Sequence, residues 1–201
     1  LSVPLPDTAA DIRSVPVLSL DFETSGLNAQ QDHMVSVGYV VMHDGFIDLS
    51  TACHQLIKTG RELTEASVVI HKITDDAISD GASRTQVINE LLALLAGKVM
   101  LAHNAKIEND FIKQACLELY GVAPYIPTID TLRIARIWFE RRNKEIEQGD
   151  LRLFNLRKRY GLPAYQAHNA LSDAISTAEL LQAQIEHMGG AKKLPLGQFM
   201  T

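Results

Sequence analysis

Val17 to Phe22 is a run of six residues broken only by Ser19 and Asp21, and it leads straight into Glu23. So short and apolar a run reads as a central strand buried on both faces. A domain built around such a strand has to cover it on both sides. Successive side chains on a strand alternate, so Asp21 and Glu23 project from the same face. Two adjacent carboxylates at the end of an apolar strand repel each other and lose hydration, which points to a neutralising cation. Taken alone, the same pair also fits a strand that emerges into solvent before a glycine turn.

The rest of the chain supplies the cover. Met34 to Met42 and Phe46 to Leu56 read as two more strands, joined by the turn His43-Asp44-Gly45, which makes a three-stranded antiparallel meander. Arg84 to Ala96 carries an apolar helical face and stops at Gly97. Val99 to Ala102 is a short strand, and Lys106 to Leu119 a helix closed by Gly121. Further helices are expected over Ile129 to Arg142, Leu153 to Tyr160 and Ala170 to His187, with a polar loop up to Asp150. The pattern predicts an α/β domain, a mixed sheet with helices on both faces. The 201 residues suffice for one domain with a sizeable core. Residues 1–14 are expected as an extension, 15–190 as the domain and 191–201 as a tail.

No stretch approaches the roughly 20 apolar residues of a membrane-spanning helix, and the first residues lack the basic start and apolar run of a signal peptide. The expectation is a soluble, cytoplasmic protein. Cys53 and Cys116 are far apart and outside any zinc-like spacing, which fits a reducing compartment and no zinc. Because the chain starts at Leu1 rather than methionine, a trimmed chain or a piece of a longer protein is expected. The net charge of −5 is poor for a polyanion-binding protein, but residues 131–160 hold nine basic and four acidic residues, or +5. Such a run is most often a solvated helical face; beside a catalytic centre it becomes a candidate groove.

Two further segments carry chemistry. His168-Asn169-Ala170-Leu171-Ser172-Asp173 puts a histidine just before the last helix and an acid in its first turns, beside the apolar stripe. Leu101 to Phe111 runs from a strand end, through His103 and Asn104, into a helix bearing Glu108 and Asp110. Each segment alone is an ordinary capped helix start. In order and spacing they resemble the three motifs of the DEDD exonuclease superfamily: D-F-E-T-S-G-L at 21–27, H-N-A-x5-F at 103–111 and H-N-A-L-S-D-A at 168–174. The subclass with histidine in the third motif is typified by the epsilon proofreading subunit of bacterial DNA polymerase III and by ribonuclease T. Ile70-His71-Lys72-Ile73-Thr74 and Asp130-Thr131-Leu132 resemble two intervening segments of that family.

The resemblance implies a ribonuclease H-like fold, with a five-stranded sheet in which parallel strands extend the antiparallel three. It implies two divalent cations, Mg²⁺ or Mn²⁺, held by Asp21, Glu23, Asp173 and a fourth carboxylate. The family usually places aspartate five residues after the histidine of the second motif; here that position is Glu108, and Asp110 is the competitor. Phe111 keeps its place, which favours Glu108. His168 is implied as the general base, a role suited to a side chain that titrates near neutral pH. Thr24, Ser25, Gly26, Leu27, His103 and Asn104 are implied at the terminal nucleotide; Trp138, Phe139 and Phe154, interleaved in the basic segment, read more readily as core packing, with base stacking as the alternative.

The expected reaction is hydrolysis at the 3′ end of single-stranded nucleic acid, DNA favoured, releasing nucleoside 5′-monophosphates in proofreading or repair. Two alternatives stay open: an exoribonuclease or oligonucleotide hydrolase, and a non-catalytic binding module with a drifted second motif. A DNA polymerase or a fused domain is the expected macromolecular partner, although no polymerase-binding element is legible, and the sequence does not specify an oligomeric state.

Overall fold

The computed structural model describes residues 3–59, 79–165, 167–190 and 192–200. The segment Ile70 to Thr74 lies outside the described residues. The expected central strand is β1, Val17–Thr24, two residues longer than its apolar run. It pairs antiparallel with β2, Met34–His43, which pairs antiparallel with β3, Phe46–Leu56. On its other side β1 runs parallel to β4, Val99–Ala102, and β4 parallel to β5, Thr128–Asp130. The sheet order is β3-β2-β1-β4-β5, the mixed five-stranded arrangement expected.

Five helices lie among the described residues: α1 Arg84–Leu95, α2 Lys106–Tyr120, α3 Thr131–Arg141, α4 Leu153–Arg159 and α5 Ala170–Gly189. Alternation along β1 decides which face each packs on. Leu18, Leu20 and Phe22 join Val87, Ile88, Leu91, Phe111, Ile112 and Ala115 of α1 and α2 in one apolar core. Val17 joins Val99, Leu101, Ile129 and the α5 residues Ala178, Leu181 and Ile185 in the other. Burying a leucine or isoleucine fully contributes roughly 1.5–3 kcal/mol, so coverage on both faces anchors β1 at the centre of the domain.

The helix expected from Ile129 begins instead at Thr131. Ile129 and Asp130 close β5, because the Asp130 side chain accepts from the Leu132 amide and so sets the helix start after itself. The segments expected as extension and tail lie against each other: the Ile12 amide donates to the Leu194 carbonyl, and Ile12, Leu196 and Phe199 are buried in the α5-side core.

Candidate active site

The odd-numbered residues of β1 face α5. Ser19 donates to the Ala174 carbonyl at 2.7 Å, and two and four residues further on the same face carries Asp21 and Glu23. Their cross-strand neighbours on β2 are Gly38 and Ser36. Gly38 is what lets α5 come this close. A Cβ there would stand 2.0 Å from the Leu171 amide nitrogen and 2.2 Å from the Ala170 carbonyl carbon. The first turn of α5 thus lies on the backbone of β2 and delivers Asp173 to the strand end. Ligand oxygens of Asp21, Glu23 and Asp173 all lie within 4.8 Å of one another. A register shift between Glu23 and Thr24 then turns the chain out of the sheet.

Glu108 joins from α2. It is buried, its carboxylate meets the Phe22 backbone, and its charge acts on Asp21. Its Oε2 has no hydrogen-bond partner among the described residues. Asp110 sits half-exposed further along the helix and pairs with Lys106. It lines an open cleft with Leu27 and Lys113 rather than the acidic cluster.

Burial raises all four carboxylates. Desolvation dominates at Asp21, with Glu108, Asp173 and Glu23 adding repulsion that pushes it well above the carboxylate range. Glu23 is raised to about 7 by burial and then by Asp173. Glu108 is raised to about 8 by burial, with Asp130 adding to the rise and the Phe22 amide opposing it. Asp173 is raised less, because the Tyr165 hydroxyl and the amides of Asn169 and His168 favour its charged form. Two buried acids, Glu23 and Glu108, and two half-buried ones, Asp21 and Asp173, with an orphaned oxygen on Glu108 form an oxygen-only donor set, the kind that hard divalent cations select. The residues fit such an ion.

His168 adopts a left-handed backbone, φ 65°, so that its own amide and that of Asn169 both donate to Asp173 Oδ2, at 2.9 and 3.2 Å. Its ring is exposed at the mouth of the cluster. The segment Thr24-Ser25-Gly26-Leu27 is closed over Asp32, whose carboxylate accepts from the Ser25 hydroxyl and the Asn28 amide at 3.3 and 2.8 Å. Gly26 is required there, since a Cβ would meet Asp32 Oδ2 at 2.4 Å. Leu27 is left 77% exposed and lines the cleft shared with Asp110.

The structure corrects two expectations, for His103 and Arg157. His103 is not free for a nucleotide: Nδ1 lies 2.8 Å from the Thr131 hydroxyl and Nε2 2.9 Å from the Leu151 carbonyl. Burial lowers its pKa, so the ring is neutral, with Nε2–H donating to Leu151 and Nδ1 accepting from Thr131. Arg157, one of the nine basic residues, is buried and turned inward. Among the aromatics, Phe139 is buried in the core, and Trp138 is covered by Arg142 and Lys144, at 4.2 and 5.3 Å from its ring centroid. Phe154 alone of the three stands half-exposed. Asn104 is exposed with φ 65°.

Asp130 has a positional role that its motif did not reveal. Its carboxylate accepts from the amides of Asn104, Ala105 and Leu132 at 3.0, 3.2 and 2.9 Å, tying the starts of α2 and α3 to the end of β5. The sequence signal was available in an acid directly preceding a helix. Gly38 gave no such signal, since it acts through a contact distant in sequence.

Residues 18–181 match the RNase T family of exonucleases. The chain is 31% identical over 169 residues to the PolC-type DNA polymerase III of Thermotoga petrophila, covering 84% of this chain and 12% of that protein. It therefore spans about an eighth of that polymerase's length. In three dimensions it resembles Escherichia coli exonuclease I in complex with a dA16 oligonucleotide, with a TM-score of 0.74, 17% identity, and coverage of 86% of this chain and 41% of that one. Exonuclease X in complex with 5′ overhanging duplex DNA gives a TM-score of 0.66 at 23% identity, covering 91% and 98%. At these identities the likeness establishes the fold. Among the described residues, no helix is long and apolar enough to cross a membrane.

Proposed function

The chain belongs to the RNase T exonuclease family, and on that premise we propose that it is a metal-dependent 3′→5′ exonuclease acting on single-stranded DNA ends in the cytoplasm. The observation that carries this reading is the convergence of Asp21, Glu23 and Asp173 within 4.8 Å, with buried Glu108 acting on Asp21. Divalent ions, Mg²⁺ or Mn²⁺, would be held by these four side chains, and when bound they supply an acidified water and neutralise charge developing on the leaving 3′-oxygen.

The protein's own groups account for the rest. Asp21 lies within electrostatic reach of every other acid of the cluster, and Asp21, Glu23, Asp173 and Glu108 would together hold the divalent cation. His168 accepts the proton of the attacking water as the new P–O bond forms and the P–O3′ bond breaks, which frees a nucleoside 5′-monophosphate. Its amide is fixed to Asp173 and its ring is left exposed to solvent. Leu27 and the backbone of Thr24 to Gly26 would form the contact for the terminal nucleotide, and Asn104 offers a further exposed polar side chain. The eight outward-facing basic residues of 131–160 would attract the strand upstream.

The dA16 complex of exonuclease I supports a single-stranded DNA substrate, and the PolC relative supports a polymerase as fused or associated partner. The test is a panel of 5′-labelled single-stranded DNA, RNA and dinucleotides with Mg²⁺ or Mn²⁺. Stepwise shortening of DNA from the 3′ end, faster than of RNA, is expected. Intact substrates throughout the panel would refute the enzyme reading, and faster RNA shortening would refute the DNA preference.

A further inference from the structure

Ser36 carries a hydroxyl that the fold itself does not use. The residue is fully buried on β2, and its Oγ has no hydrogen-bond partner among the described residues. Burying a hydroxyl without a partner is costly, so native structures seldom do it. Ser19 shows the ordinary arrangement: equally buried on the same face of the sheet, it donates to the Ala174 carbonyl of α5 at 2.7 Å.

The register explains why Ser36 does not do the same. Along the face that α5 covers, β1 and β2 pair Ser19 with Val40, Asp21 with Gly38 and Glu23 with Ser36. Ser19 meets α5 at Ala174, and Gly38 meets it at Ala170 and Leu171, its first two residues. One pair further on, Ser36 lies past the start of the helix. A helix start offers amide donors rather than carbonyl acceptors, and the amides of His168 and Asn169 are already given to Asp173. The ladders to β1 and β3 occupy the carbonyls of β2, so the Ser36 proton needs an acceptor on a neighbouring side chain. On β3 that neighbour is Leu56, whose side chain has none. On β1 it is Glu23, whose carboxylate belongs to the acidic cluster. Directly paired residues hold their Cβ atoms about 4.5–5.5 Å apart, a separation that a hydroxyl and a carboxylate can bridge.

We propose that Ser36 is a positioning residue for the metal site: its hydroxyl donates to the Glu23 carboxylate and so fixes the oxygen that Glu23 presents to a divalent cation. This rests on the metal-binding reading of the four acids. Groups that hydrogen-bond a metal ligand typically change metal affinity by roughly 10–100-fold when removed. Held without that bond, the same hydroxyl costs the metal-free protein stability.

The experiment compares Ser36→Ala, which removes only the hydroxyl, with Ser36→Thr, which keeps it. Mn²⁺ binding is read by electron paramagnetic resonance on the whole chain, without substrate, beside thermal melting in EDTA. Ser36→Ala is expected to raise the Mn²⁺ Kd about tenfold, whereas Ser36→Thr stays within about threefold of wild type. In EDTA, Ser36→Ala should melt roughly 2–4 °C above wild type, because it removes an unsatisfied buried group. A packing role has the opposite signature, a lower melting temperature with unchanged affinity. Wild-type Mn²⁺ affinity in Ser36→Ala would overturn the proposal, and so would a lowered melting temperature of that variant in EDTA. The two readings fail separately: a chain that binds Mn²⁺ serine-dependently yet shortens no nucleic acid refutes the nuclease reading alone.

Discussion

Gly38→Ala is the smallest change that should separate the acids. A Cβ at this position would stand 2.0 Å from the Leu171 nitrogen and 2.4 Å from its Cα, whereas real Cβ contacts essentially never fall below 3.0 Å. The obstacle is backbone on both sides, so no side chain can swing away. Either α5 lifts from β2 by about 1 Å or β2 bows outward by as much. Ala170 and Ala174, both fully buried, leave α5 no lateral slack. Overpacking of this kind costs roughly 1–3 kcal/mol. Asp173, two residues past Leu171, moves with the helix, and an error of about 1 Å in a catalytic group costs on the order of 100-fold in rate. The assay pairs single-turnover hydrolysis of a 5′-labelled oligonucleotide at saturating Mn²⁺ with thermal melting. The expected result is a rate loss near 100-fold in a protein that still melts cooperatively. A variant within threefold of wild type in rate and within a degree in melting temperature would refute the reasoning, because it would mean the contact of α5 with β2 does not set the position of Asp173.

Glu108→Ala should reduce hydrolysis by at least about 100-fold, the scale of losing one electrostatic group at a reaction centre, while Asp110→Ala keeps most of it; the reverse ranking would place the fourth ligand at Asp110. The metal-free protein should lose stability with rising pH. The folded-state pKa values of Glu23 and Glu108, about 7 and about 8, exceed the ordinary 4.5, so the folded form holds the extra protons, and stability present below about pH 4.5 is lost as pH climbs towards 7 and 8. Melting in EDTA should fall by on the order of 5 °C from pH 5 to pH 8, and Mn²⁺ should reverse the trend; a melting temperature that rises with pH in EDTA contradicts the assignment. Asp130→Ala removes the acceptor for three amides at two helix starts and should cost roughly 2 kcal/mol, read as a shift in urea midpoint with unchanged m-value; an unshifted midpoint would show that solvent replaces the cap.

Most of the sheet was legible because β1, β2 and β4 are apolar runs and the turn at Gly45 separates β2 from β3, and β2 to β4 begin where the sequence places them. β5 was missed because three residues carry no period and the helix follows without a loop. Asp21, Glu23, His168 and Asp173 stood out by order and spacing, and the structure brings them together. Arg157 was misread for a physical reason: in sequence a buried cation looks like an exposed one, and its burial depends on carbonyls of residues 163 and 176. His103 misled in the same way, since its partners Thr131 and Leu151 lie far along the chain. Gly38 was invisible because its reason is a helix more than 130 residues away.

The His103 tether to Leu151 has a further consequence for how this scaffold can diversify. Residues 142–148 are all exposed, whereas Leu151 is pinned through one imidazole to the strand end that leads to Glu108. Insertions or charge changes in 142–148 can thus accumulate without disturbing the acids, since the chain re-enters the structure at a fixed point. The exposed loop and the acidic cluster are therefore separable on this fold, and the one can vary while the other is inherited intact.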